Sequence, residues 1–148
     1  MWSYSDNSTH KVDDKGRVSV PSDIRKAVEA LNGGIKAIRV TRSAQYPCLE
    51  AHDLADLAEV SAELKNRERT RTLTPEDQRE RNRLFRMARH VEIDSAGRIV
   101  LPKDYMAAVG IAEECVFVGC GHYFEIWQPA AYAAHAATFA DDLPSLGG

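Results

Sequence analysis

Lys15 and Arg17 flank a glycine inside "DDKGRVSVP", residues 13–21. An ammonium and a guanidinium lifted by a tight turn can neutralise phosphates, and the planar fork of an arginine can grip two acceptors at once. Lys11 precedes the turn and Arg25 and Lys26 follow it, so residues 11–26 hold five basic side chains against three acidic ones. The plainer reading is internal pairing, because Asp13 stands four residues before Arg17 and is placed to hold the turn. Other reactive side chains offer less. Cys48, Cys115 and Cys120 lack the paired spacing of a disulfide framework or a zinc site and read as buried structural thiols. Cys120-Gly-His122 fits a hairpin turn better than a catalytic pair, and no nucleophile elbow, phosphate loop or paired-carboxylate arrangement is present. The expectation is a protein that is not an enzyme and has no small-molecule substrate, cofactor or metal.

Charge is unevenly spread. The 148 residues carry a formal net charge of −3, yet residues 65–89 hold nine Lys or Arg against four Asp or Glu, and the stretch from Asp104 onward has six acids and no Lys or Arg. Local rather than total charge decides phosphate binding. No apolar run approaches a membrane span, and "MWSYSDNSTH" has neither the basic nor the apolar part of a signal peptide, so a cytoplasmic location away from membranes is expected.

The elements that must position these residues are short. Asp at the first place of a turn and Gly at the fourth is a type I signature. After it Val18 and Val20 point to one face and Arg17 and Ser19 to the other. Pro21 suits a helix start, Ile24, Ala27, Val28 and Leu31 form one apolar stripe, and Asn32-Gly33-Gly34 ends it. Strands follow at 35–42 and 48–52. The middle of the chain, 54–90, reads as helices, with Leu54, Leu57, Ser61 and Leu64 on one face. A helix start lies at Thr74-Pro75-Glu76-Asp77, with Leu84, Met87, Ala88 and Val91 as its apolar stripe. Arg79, Arg83 and Arg86 occupy another face, read as solvated or as an oligomer contact.

The opening device occurs twice. Val12–Val28 aligns with Ile93–Val109 at an offset of 81, with seven of 17 positions identical, among them Asp13/Asp94, Gly16/Gly97 and Arg17/Arg98. The second copy continues into strands at 115–119 and 123–128. Each copy is too small for a comfortable independent core, so two interlocked halves related by a pseudo-two-fold are expected. Asp13, Gly16, Asp94, Gly97 and Arg98 are assigned to building the turns. Lys15, Arg25 and Lys26 become Ala96, Met106 and Ala107 in the second copy, which suggests that the first copy faces a polyanion and the second supports fold and assembly.

"VDDKGRVSVP", "VTR" followed by "CLE", "VEIDSAGRIVLP" and the closing "FVGCGHYFEIW" together resemble the MraZ family, tandem members of the SpoVT–AbrB superfamily of bacterial transcription factors. The resemblance covers roughly residues 9–135. It implies an α+β fold of two AbrB-like swapped-hairpin β-barrel halves (9–53 and 91–137) joined by a helical connector (54–90) and followed by a flexible tail (138–148). It also implies a nucleoid-associated, ring-like homo-oligomer that binds double-stranded DNA at tandem promoter repeats and represses the division and cell-wall gene cluster. Lys11, Lys15, Arg17, Arg25 and Lys26 are then the DNA-binding residues. Two positions depart from the family pattern: "WSYSDNSTH" replaces an aromatic-Gly opening, and Ser43 stands where glycine is expected after Thr41-Arg42. The alternative is an AbrB-like antitoxin or other interaction module; the short tail and the doubled device count against it.

Overall fold

Asp13 and Asp94 set the local geometry of the two repeats. In the computed structural model, which describes residues 2–144, Asp13 Oδ1 accepts from the backbone N–H groups of Lys15 and Arg17 at 2.9 and 2.8 Å, and Asp94 Oδ1 accepts from those of Ala96 and Arg98, both at 2.9 Å. Gly16 and Gly97 donate back to the Asp13 and Asp94 carbonyls with φ of +82° and +81°. Glycine takes that conformation without steric cost.

From each turn the chain runs through equivalent elements. The first repeat is β1 (Asn7–Lys11), β2 (Arg17–Ser19), α1 (Ser22–Leu31), β3 (Ala37–Arg42), β4 (Leu49–His52) and α2 (Leu54–Thr70). After α3 (Pro75–Arg81) and one wide π turn (Asn82–Arg86), the second gives β5 (Arg89–Glu92), β6 (Arg98–Val100), α4 (Lys103–Ala108), β7 (Glu114–Gly119), β8 (Phe124–Trp127) and α5 (Pro129–Ala137). Asp53 caps α2 by accepting from Asp56 N at 2.8 Å, and Gln128 caps α5 by accepting from Ala131 N at 2.7 Å. The repeat therefore extends one helix beyond the strands read from sequence.

Strands are exchanged between the repeats. β1 pairs with β7 and β3 with β5, all antiparallel, in a six-stranded sheet of order β1-β7-β8-β4-β3-β5. β4 pairs with β8 about Glu50↔Glu125, and β2 pairs with β6 in a separate ribbon about Val18↔Ile99. Both centres join corresponding positions of the two copies, and the strand order places corresponding strands symmetrically about the β4–β8 pair. The fold is α+β as expected, but no closed barrel forms among the described residues: the sheet is open, with β1 and β5 at its edges. Pro21 and Pro102, which have no N–H to donate, follow closely on β2 and β6 and help to keep the ribbon short.

One face of the sheet packs with the ribbon, α1 and α4 into the core, where Val18, Ile99, Leu49, Ile126, Phe117 and Phe124 are at most 1% exposed. The other face is more polar. There His52 Nδ1 lies 2.7 Å from Asp56 Oδ2 and Nε2 3.1 Å from Glu50 Oε2, and Arg83 from the π turn donates to both Glu50 and Glu80. Trp127 repeats the His52 contact on the twin side, donating to Glu125 at 3.0 Å. The wide turn displaces the stripe expected on one continuous helix: Leu84 is buried, whereas Met87 is exposed and Val91 belongs to β5.

Both departures from the family pattern find local solutions. Tyr4 is buried, packs on Phe124 and donates to Asp53 at 2.7 Å, while Asp6 adopts φ of +69° and bonds its neighbour's N–H. Asp6 thus holds a positive φ, the conformation that glycine takes without steric cost. Ser43 Oγ accepts from the N–H groups of Gln45 and Tyr46, both at 3.2 Å, and builds its loop by side-chain bonding. Of the tail, Ala140–Asp142 form one 3-10 turn, and residues 145–148 lie outside the described residues.

Candidate nucleic-acid interface

The ribbon brings the two predicted turns to one surface. Val18 and Ile99, both 1% exposed, anchor it from below, and strand alternation sends Arg17, Ser19, Arg98 and Val100 outward. Arg17 pairs across the ladder with Val100, and Ser19 with Arg98. The arginine side chains are 39% and 43% exposed. Arg17 Nε bonds Asp13 Oδ2 at 2.7 Å, while Arg98 Nε stands 3.4 Å from Asp94 Oδ2. Among the described residues these contacts use the Nε edge and leave the terminal nitrogens free for a ligand. The backbone N–H and guanidinium of Arg17 hold Asp13 below the usual carboxylate range, and the backbone N–H of Arg98 does most to lower Asp94. Pairing and presentation are therefore compatible: the carboxylate orients the arginine without consuming it.

Lys15 at the turn tip, Lys11 at the end of β1 and Lys26 on α1 are exposed. Arg25 lies at the other turn. A Cβ added at Gly97 would fall 2.6 Å from Arg25 Nη1, so this first-repeat side chain covers the second-repeat turn. Its equivalent, Met106, lies 3.5 Å from the same position on Gly16. Charge from the first repeat is thus delivered to the second turn.

Five arginines of the most basic stretch of sequence pair with carboxylates of the chain. Arg67 and Arg71 share Asp77, Arg81 pairs with Glu68, and Arg83 with Glu50 and Glu80. Arg89 grips Asp104 through two nitrogens (2.8 and 2.6 Å) and lies 4.5 Å from the Tyr105 ring centre. These pairs, and the layer of Trp127, His135 and Tyr46 that seats α5, were not legible as spacing. The helix periodicity hinted only that the connector arginines share a face.

The three thiols are free, and burial pushes Cys115 up to about 12 and, with Glu125 nearby, Cys120 up to about 12. His122 is exposed at the β7–β8 turn. Among the described residues no group of His, Cys, Asp and Glu is placed to hold a metal, and no helix is long and apolar enough to cross a membrane.

Residues 84–144 match the family model described as "MraZ protein, putative antitoxin-like". Proteins named transcriptional regulator MraZ are similar over most of the chain. The Ruegeria pomeroyi protein is 30% identical across 95% of this chain and 89% of its own length. The Gluconacetobacter diazotrophicus protein is 35% identical across 82% and 76%, and that of Thermomicrobium roseum 33% across 93% and 90%. The chain belongs to the MraZ family, a family of transcriptional regulators and not of enzymes.

Proposed function

We propose that the protein regulates transcription by binding double-stranded DNA sequence-specifically through the outer face of the β2–β6 ribbon. The carrying observation is the pair of arginines held in two-fold register on a rigid two-stranded ribbon, an element of the right size for the major groove. Arg17 and Arg98 read base edges; Lys15, Lys11 and Lys26 contact phosphate and fix the register. Arg25 positions the second turn. The exchanged strands support the reading of the halves (9–53 and 91–137, linked through 54–90) as AbrB-like swapped hairpins. In this reading the protein assembles into a ring-like homo-oligomer, engages tandem promoter repeats of the division and cell-wall cluster and represses it from the cytoplasm, at the nucleoid. Several ribbons on one assembly multiply affinity through effective concentration. Footprinting the purified protein on DNA upstream of its own gene tests this: protected, regularly spaced repeats are expected, and uniform cleavage would refute it.

A second reading, an antitoxin-like interaction module, draws on α5, which has no buried residue, and on exposed Phe139 and Leu143 beyond it. Co-purification with a stoichiometric small protein, lost on deleting residues 138–148, would favour it.

A further inference from the structure

One outward position of the ribbon has no charge. Val100 is 55% exposed, and among the described residues it is the one strongly exposed large apolar side chain that lies in a strand. Its partner across the ladder is Arg17, and Arg98 precedes it by two on the same face. The corresponding position of the first copy is Ser19, opposite Arg98. The outer face is therefore not symmetric: two equivalent arginines frame a valine on one side and a serine on the other.

A branched apolar side chain standing in a polar, basic surface gains free energy only when something apolar covers it. In the major groove, thymine alone of the four bases offers an apolar group, its C5-methyl. Cross-strand neighbours stand about 5 Å apart and same-face neighbours along a strand about 7 Å. With bases stacked about 3.4 Å apart, Arg17, Val100 and Arg98 can address neighbouring base pairs. Ile99 and Val18 beneath them are fully packed, so the position of Val100 is fixed by the core.

We infer that Val100 is a specificity residue that packs on a thymine methyl beside the bases gripped by Arg17 and Arg98, so that the ribbon reads an asymmetric element. The inference rests on the DNA-reading assignment above, and the experiment separates the two.

A duplex is selected from a random library by the wild-type protein, and each thymine is then replaced singly by deoxyuridine, which removes only the methyl. Wild type should lose about fourfold in affinity at one position of each bound element, the worth of one buried methyl group. Val100→Ser should bind thymine and uracil duplexes equally, with unchanged size-exclusion behaviour and salt dependence. Val100→Thr, which keeps one methyl, should retain the discrimination. Ser19→Val should create a second sensitive position. If wild type tolerates every uracil, or Val100→Ser still discriminates, the inference is wrong while DNA reading stands. A change of oligomeric state in Val100→Ser would mean that a second copy covers the valine, which also overturns it. Failure to select any duplex removes the DNA reading, and the inference falls with it.

Discussion

Arg17 and Arg98 are each held by an aspartate four residues earlier, and the choice between holding a turn and offering a hand proves to be a false one. The aspartate uses one oxygen for backbone N–H groups and turns the other toward Nε, leaving the guanidinium fork exposed. Arg17→Ala and Arg98→Ala should each weaken specific DNA binding by about 1–3 kcal/mol per engaged ribbon. Because exposed ion pairs contribute little, each should shift unfolding free energy by less than about 1 kcal/mol. Mobility shifts read the first quantity and chemical denaturation the second. Equal behaviour of the two variants would distinguish this arrangement from one in which only the first repeat reads DNA. Backbone approach makes a second residue-scale demand. A Cβ at Gly119 would lie 2.2 Å from Ser5 N, closer than any side chain permits. Gly119→Ala should therefore detach the Tyr4 segment and lower the Tm, by about 1–3 kcal/mol in stability, with Tyr4 becoming quenchable in fluorescence.

At the scale of elements, the strongest tie between connector and sheet is the chain Asp56–His52–Glu50–Arg83–Glu80. Both ring nitrogens of His52 lie within hydrogen-bond distance of a carboxylate, Nδ1 of Asp56 and Nε2 of Glu50, an arrangement that favours the protonated ring. Burial alone would push His52 down, but its bonds to Asp56 and Glu50 outweigh that and hold it above the ordinary imidazole range. Burial likewise opposes the charge on Glu50, and the bonds from His52 and Arg83 carry it below the usual carboxylate range. A raised imidazole contributes stability below its unfolded pKa and loses it as pH rises through the folded one; a lowered carboxylate loses its contribution as pH falls through the folded value. The Tm should accordingly fall on both flanks. His52→Gln should remove the alkaline decline and cost about 1–3 kcal/mol at pH 6, both measurable by thermal melts across pH. Little of this tie was legible in the sequence. Local patterns located α2 and the helix start at Thr74, since those depend on near neighbours in the chain. The π turn and the equivalence of α2 with α5 depend on tertiary contacts, and loop-length changes move the correspondence from Val12/Ile93 to Glu50/Glu125, where almost no identity survives.

For the whole molecule, the duplication was readable because its turns require particular residues, whereas the partners of the strands were not. The ion pairs of the basic connector were hidden for a related reason: a charge count does not reveal that Arg67, Arg71 and Arg81 meet carboxylates from neighbouring helices. The ribbon surface, with Lys15 at its turn tip and an outward arginine from each copy, is the surface proposed for a polyanion. Despite a net charge of −3, binding should weaken steeply with salt, by about 0.9 in the log–log slope for each phosphate contacted. Affinity titrations between low and moderate salt measure this, and a flat response would move the interface away from Lys15 and its neighbours. The exchange of strands also dictates an order of events during synthesis. β1 leaves the ribosome early, yet its ladder partner among the described residues, β7, begins at Glu114, so the first strand must wait unpaired until most of the chain has emerged. Pairing across such a span closes late and slowly. A fragment ending at residue 90 should therefore stay unfolded on its own and regain structure when residues 91–148 are supplied in trans, as circular dichroism of the mixed fragments would report. Nascent chains of this protein are most exposed to misassembly just before they are finished.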